Sequence, residues 1–226
     1  PASAGYFPDV TDPEMARAAD TLYALGVVDG GDKGLFQPMD NLTRVQFCKM
    51  AIEIMGRGEE AKAQMNRTIF TDVPSSHWAR GYVNLAASTM LEDGGSSSGT
   101  GSDSDPKPAG TPLISGIGDG RFLPDSQLTY AQAVTILIRV LGYSSNKVGA
   151  VWPDGYLNLA QSIGLTDGVS AGTYDNITRV ELLPFHTMCR QKYEKLGIEF
   201  RFGTYPDTRS ATVERLQKLV KLPSAQ

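Results

Sequence analysis

Apolar residues recur at spacings of three and four along EMARAADTLYALGVV, at Met15, Ala18, Leu22, Leu25 and Val28. That period predicts a helix with one buried face. It returns at Phe47, Met50, Ala51 and Ile54, and again at Val134, Leu137, Ile138 and Leu141. Between the periodic stretches lie DGGDKGLFQP and GIGDGRFLP, whose glycines and prolines punctuate the chain as turns. Neither follows a strand or carries the Lys-Ser/Thr pair of a phosphate loop, so they read as turns alone. The order predicted is helix, glycine turn, helix, and then the same again.

The repetition extends to individual residues. FPDV at Phe7–Val10 is matched by FTDV at Phe70–Val73. Phe36 and Phe122 each lie six residues past a turn glycine, Gly30 or Gly116, with Pro38 or Pro124 two farther on. Phe7 to Phe36 spans 29 positions and Phe70 to Phe122 spans 52, so the second copy carries 23 more. The surplus is visible as Glu92–Pro112, almost all Gly, Ser, Asp and Pro, the composition of a disordered surface loop. The third copy, VWPDGYLNLAQSIGLTDGVSAGTYDNITRVELL, reads as abbreviated, with Trp152 set against the opening phenylalanines. The segments expected are 6–66, 67–147 with the insertion 92–112, 148–190, and a tail 191–226 with an amphipathic helix over 210–222.

One phrase occurs three times: NLTRVQ at 41–46, QLTYAQ at 127–132 and NITRVE at 176–181. Thr43, Thr129 and Thr178, each three residues before Gln46, Gln132 or Glu181, predict capping boxes. The aliphatic residue before each Thr fits a hydrophobic staple. Capping leaves Arg44 and Arg179 unexplained. Both fall at the first helical position, where a cation near the positive helix end is slightly unfavourable and free amide groups favour an anionic ligand. They are either anion-binding residues or solvated helix starts. Tyr130 stands at their place in the middle copy.

Taken together these motifs resemble S-layer homology repeats, with their F-x-D-V opening, H-W-A, G-x-x-G-x-F-x-P turn and I-T-R-A-E phrase. The resemblance covers about residues 6–183. It implies a mainly α fold of three helix-turn-helix repeats in a pseudo-threefold bundle, with grooves between neighbours. It implies a non-catalytic, secreted wall anchor that binds anionic, pyruvylated secondary cell-wall polysaccharide at the surface of a Gram-positive-type bacterium. Other surface-layer proteins are possible partners. The residues it points to are Arg44 and Arg179, with Asp9, Asp72, Trp78, Gly30 and Gly116, and Gly168 in the third copy. Tyr130 departs from the pattern, and as an aromatic it is a candidate for stacking on a sugar. Asp9 and Asp72 also fit caps of the following helices, and Trp78 also fits the core.

Pro184 interrupts the third copy's last helix, which predicts a break near Leu183. Beyond it, VELLPFHTMCRQKYEKLGIEFRFG is similar to the tail of glycyl-radical-enzyme activating enzymes over about 179–222. The three-cysteine cluster motif of those enzymes is absent.

Composition narrows the function classes further. A net charge of −4 supplies no electrostatic footprint for nucleic acid, and no apolar run reaches the ~18 residues of a membrane span. Two cysteines and two histidines without ligand spacing call for no metal or cofactor. No nucleophile, base and acid set suggests an enzyme. Two readings remain: a glycan-binding wall anchor, or a degenerate repeat array acting as a structural or protein-interaction scaffold.

Overall fold

The computed structural model describes residues 5–31, 33–91, 110–149, 151–166 and 169–181. The expectations for Gly168, Pro184, the tail and its amphipathic helix fall outside these. Among the described residues the chain is mainly helical, as the periodicity predicts. Its helices are α1 (Pro13–Ala24), α2 (Arg44–Ile54), α3 (Gly58–Ala63), α4 (Arg80–Ser88), α5 (Tyr130–Val140), α6 (Ser145–Val148) and α7 (Asp154–Ser162). The strand pair β1 (Met90–Leu91) and β2 (Thr111–Pro112) is antiparallel, with Leu91 opposite Thr111. The end of the glycine-serine insertion is therefore part of the fold, and Thr111 is buried. Composition alone assigned Thr111 and Pro112 to a solvated loop, because it does not register strand pairing.

Three hydrogen bonds close a ring at the centre. Leu128 N–H donates to Leu42 O at 2.8 Å, Leu42 N–H to Ile177 O at 2.9 Å, and Ile177 N–H to Leu128 O at 3.0 Å. All three side chains are buried. Antiparallel bridges Asn41–Thr178, Thr43–Gln127 and Thr129–Asn176 flank the ring. The aliphatic residue that reads locally as a staple is thus where each copy meets the other two. This cyclic pattern is the pseudo-threefold arrangement.

Capping is as the sequence predicts in α2 and α5. Thr43 accepts from Gln46 N–H and Gln46 accepts from Thr43 N–H, with the same reciprocity at Thr129 and Gln132. At the third phrase, Thr178 N–H and hydroxyl both donate to Glu181 Oε2, at 2.5 and 3.1 Å. Helix α2 packs on α4 and α5, and α5 packs on α7, so in the first and second copies the second helix lies against the next copy's first. Phe7, Phe36, Phe47, Phe122, Leu137 and Ile138 fill the interior at 1% exposure or less.

The third copy aligns differently from the sequence reading. Helices α4 and α7 each have nine residues and each begin two positions after a tryptophan, Trp78 or Trp152. Trp152 is therefore the counterpart of Trp78, and Met15 holds the same place two positions before Arg17 in α1. All three are exposed, by 57%, 47% and 42% for Trp78, Trp152 and Met15. What the third copy lacks is the F-x-D-V opening. Met15 also leaves the buried face its spacing suggested, because it precedes the stretch of α1 that packs inward through Ala18, Ala19 and Leu22.

Candidate functional site

The carboxylates of the F-x-D-V openings hold the glycine turns. Asp9 accepts from Phe36 N–H at 2.9 Å and Gln37 N–H at 2.7 Å. Asp72 accepts from Phe122 N–H at 2.8 Å and Leu123 N–H at 2.7 Å. Gln37 and Leu123 sit at φ of 55° and 58°, a left-handed conformation that non-glycine residues rarely adopt. The clamped amides keep them there. Neither aspartate caps a helix: α1 is capped by Asp12 and α4 has no side-chain cap. Partial burial works to raise the Asp9 carboxyl, but the Phe36 and Gln37 amides and the nearby charge of Arg179 outweigh it and leave it below the usual carboxylate range.

Under each turn sits the phenylalanine of the same opening. A Cβ on Gly116 would lie 2.4 Å from the Phe70 ring and 2.7 Å from Arg121 O, so glycine is required there. Gly30 is close against Phe7 and Gly34, at 3.4 and 3.3 Å from the position of a Cβ. These glycines shape the turns.

The helix starts behave differently from the sequence reading. The first two amides of each are taken by a neighbouring turn. Arg44 and Val45 donate to Ser126 O and Pro124 O, Tyr130 and Ala131 to Asp175 O and Thr173 O, and Arg179 and Val180 to Asp40 O and Pro38 O. The third amide of α2 and of α5 bonds its Thr. No free amides are left at these two helix ends for an anion. Nor does Arg44 point outward. It is buried, its Nε donates to Phe122 O and its Nη2 to Ser115 O, both at 3.0 Å, and its guanidinium lies 5.0 Å from the Phe122 ring centre. Burial pulls its pKa down, against the nearby charge of Asp72. Cys48 is fully buried, which pushes its thiol up to about 12 and leaves it inert. Tyr130 packs partly buried against the core.

Arg179 is placed otherwise. It is half-buried, and its Nη1 donates to Phe36 O at 2.7 Å and lies 3.5 Å from Gln37 Oε1. Among the described residues its Nε and Nη2 have no partner. It borders a cleft of about 430 Å³ formed by the first turn, one face of α2, and Trp78. All three copies contribute. The Trp78 ring is largely exposed and stacks on His77 with centroids 5.9 Å apart. Gly30 lines the cleft, whereas Arg44, Asp9, Asp72, Gly116 and Tyr130 do not.

Sequence reasoning missed Lys49, Gln46 in its second role, and Asp29. Lys49 is buried to 12% side-chain exposure and paired with Asp29, and both line the cleft. Its signal was a charged residue interrupting QFCKMAI one turn after Gln46, on the same helix face.

In the second copy the corresponding groups bond to the protein itself. Thr135 takes the place of Lys49, six residues after the capping Thr. Its hydroxyl accepts Trp152 Nε1–H at 2.9 Å and itself donates to Ala131 O at 2.7 Å. Arg44 fills the position that Arg179 holds in the first cleft. There the cation and the indole N–H are both used internally.

Two stretches, 7–48 and 113–134, match the S-layer homology domain. The chain is 30% identical over 183 residues to a surface layer protein of Brevibacillus choshinensis, covering 76% of this chain and 14% of that protein. It is 31% identical to the middle cell wall protein of Brevibacillus brevis, over 76% of this chain and 15% of the relative. It is 33% identical over 180 residues to a cell surface protein of Thermoanaerobacter kivui, over 78% of this chain and 20% of the relative. The chain therefore spans between 14% and 20% of the length of these relatives. The domain match stops short of the tail. The match to the S-layer homology domain falls in the first and second copies, within a fold whose copies close on one another through Leu42, Leu128 and Ile177.

Proposed function

We propose that this chain is a non-catalytic module that anchors a surface protein to the bacterial cell wall. Its ligand is an anionic, pyruvylated secondary wall polysaccharide, held in the cleft between Trp78, Arg179 and Lys49. One observation carries the reading: three copies converge on a cleft that offers an exposed aromatic ring beside a guanidinium whose Nε and Nη2 have no partner among the described residues. The aromatic face suits the C–H face of a sugar ring. The guanidinium suits a carboxylate, which it can bind through two parallel hydrogen bonds. The names of the relatives place similar sequences in surface-layer and cell-wall proteins. That accords with a location at the surface of a Gram-positive-type bacterium.

The scaffold reading is favoured for the second groove, where Arg44 and Trp152 spend their donors on the protein itself. Surface-layer proteins are the partners it would suit.

The test is co-sedimentation with purified cell walls, with and without their secondary polymer. The unmodified chain is expected to sediment only when the polymer is present. Arg179→Ala combined with Trp78→Ala should lose most of that retention while the fold is kept. Undiminished retention of the double variant overturns the assigned cleft, and equal sedimentation with stripped walls overturns the glycan.

A further inference from the structure

A second depression of about 410 Å³ lies beside the Trp78–Arg179 cleft, within the roughly 300–1,000 Å³ span of small-molecule sites. Its walls come from Asp29, from Lys49 and Glu53 on α2, from Glu59 and Lys62 on α3, and from Tyr82 on α4. Asp29 and Lys49 line both depressions, so the two meet across that ion pair. Lys49 and Glu53 are one helical turn apart and point along the same face of α2.

The polar groups are already ordered. Lys49 is paired with Asp29, Lys62 with Glu59 at 2.6 Å, and Tyr82 OH donates to Glu53 Oε1 at 2.6 Å. A Cβ on Gly58 would lie 2.4 Å from both Glu53 carboxylate oxygens, so the glycine admits that carboxylate against the start of α3. Three carboxylates face two ammonium groups, and each ammonium has a carboxylate of its own. An anion finds no free cation here. Sugar hydroxyls find carboxylate acceptors with spare lone pairs, on side chains exposed by 74% at Asp29 and 87% at Glu59.

We propose that this depression is a second subsite, which takes a neutral, polyhydroxylated sugar residue adjacent to the anionic residue of the first cleft. The chain then reads two or more consecutive residues of one glycan, with Lys49 and Asp29 at the junction. This subsite rests on the glycan reading above.

Isothermal titration of the full chain tests it, with purified anionic secondary wall polysaccharide and with its single-residue anionic hydrolysis fragment as probes. Glu53→Gln weakens a hydroxyl acceptor, and Glu59→Trp fills the depression from its exposed lip. Each should lower polysaccharide affinity roughly 10-fold, the effect of one lost charged hydrogen bond, and leave affinity for the fragment unchanged. Arg179→Ala should weaken both probes. Polysaccharide affinity unchanged in Glu53→Gln and Glu59→Trp but lost in Arg179→Ala overturns the subsite and leaves the first cleft standing. An equal loss for both probes in the Glu53 and Glu59 variants also overturns it, since the effect would then be transmitted into the first cleft. Failure of the unmodified chain to bind either probe removes the glycan reading and the subsite together. Thermal unfolding of each variant separates lost binding from lost folding.

Discussion

Arg44 and Arg179 occupy the same place in the same six-residue phrase, and the structure gives them different work. Arg44 is buried and ties the first copy to the second through Phe122 O and Ser115 O. Arg179 reaches Phe36 O with one nitrogen, and among the described residues its other two have no partner. Replacing Arg44 by Ala leaves two carbonyls without their charged donor and opens a gap over the Phe122 ring. The expected loss is roughly 2–4 kcal/mol of unfolding free energy, read by chemical denaturation. Arg179→Ala should cost less stability, because fewer of its bonds are internal and it is less buried. A reversed ranking would contradict the assigned division between clasp and ligand residue.

At the scale of elements, the unit is the glycine turn together with the helix that follows. Asp9 or Asp72 holds the turn from below, and the turn in turn receives the first amides of another copy's helix. The same unit carries Lys49 in the first copy and Thr135 in the second, where the hydroxyl accepts the Trp152 indole N–H. Thr135→Val, made in a Trp78→Phe background so that Trp152 is the remaining tryptophan, removes the acceptor of the Trp152 indole. Stability should fall by about 1 kcal/mol. Trp152 fluorescence should become more readily quenched by acrylamide. Unchanged quenching would mean that the hydroxyl does not hold the indole.

For the whole molecule, the ring of Leu42, Leu128 and Ile177 makes each copy's position depend on the other two. Local damage to a turn therefore reaches the global stability. Asp9 provides the handle, since its folded carboxyl lies below the ordinary value of 3.8. A group whose pKa is lower when folded contributes stability that is complete above its unfolded pKa. That contribution disappears as pH falls through the folded value. The chain is therefore expected to lose stability on acidification below about pH 4. Asp9→Asn should be less stable at neutral pH and show a shallower acid dependence in thermal unfolding. An identical acid profile for the two would exclude Asp9 as a contributor.

The triplicate phrase, the capping boxes at Thr43 and Thr129, the glycine turns and the mainly helical class were all legible in the chain. They rest on interactions within a few residues, so local spacing encodes them. Trp78 was legible as a residue, though not whether it faced core or solvent. Other features depend on separations of forty residues or more, such as the burial of Arg44 under the second turn and the reach of Arg179 to Phe36. The capture of the helix-start amides by neighbouring turns has the same origin. Spacing carries no information on which carbonyl a distant turn presents, so an arginine beside seemingly free amides read as an anion site. The sequence by itself determined the repeated unit and its local bonds. Only the tertiary structure decided which of two equivalent arginines is sealed inside, because closing the ring buries Arg44 among carbonyls while leaving Arg179 at the rim of a cleft.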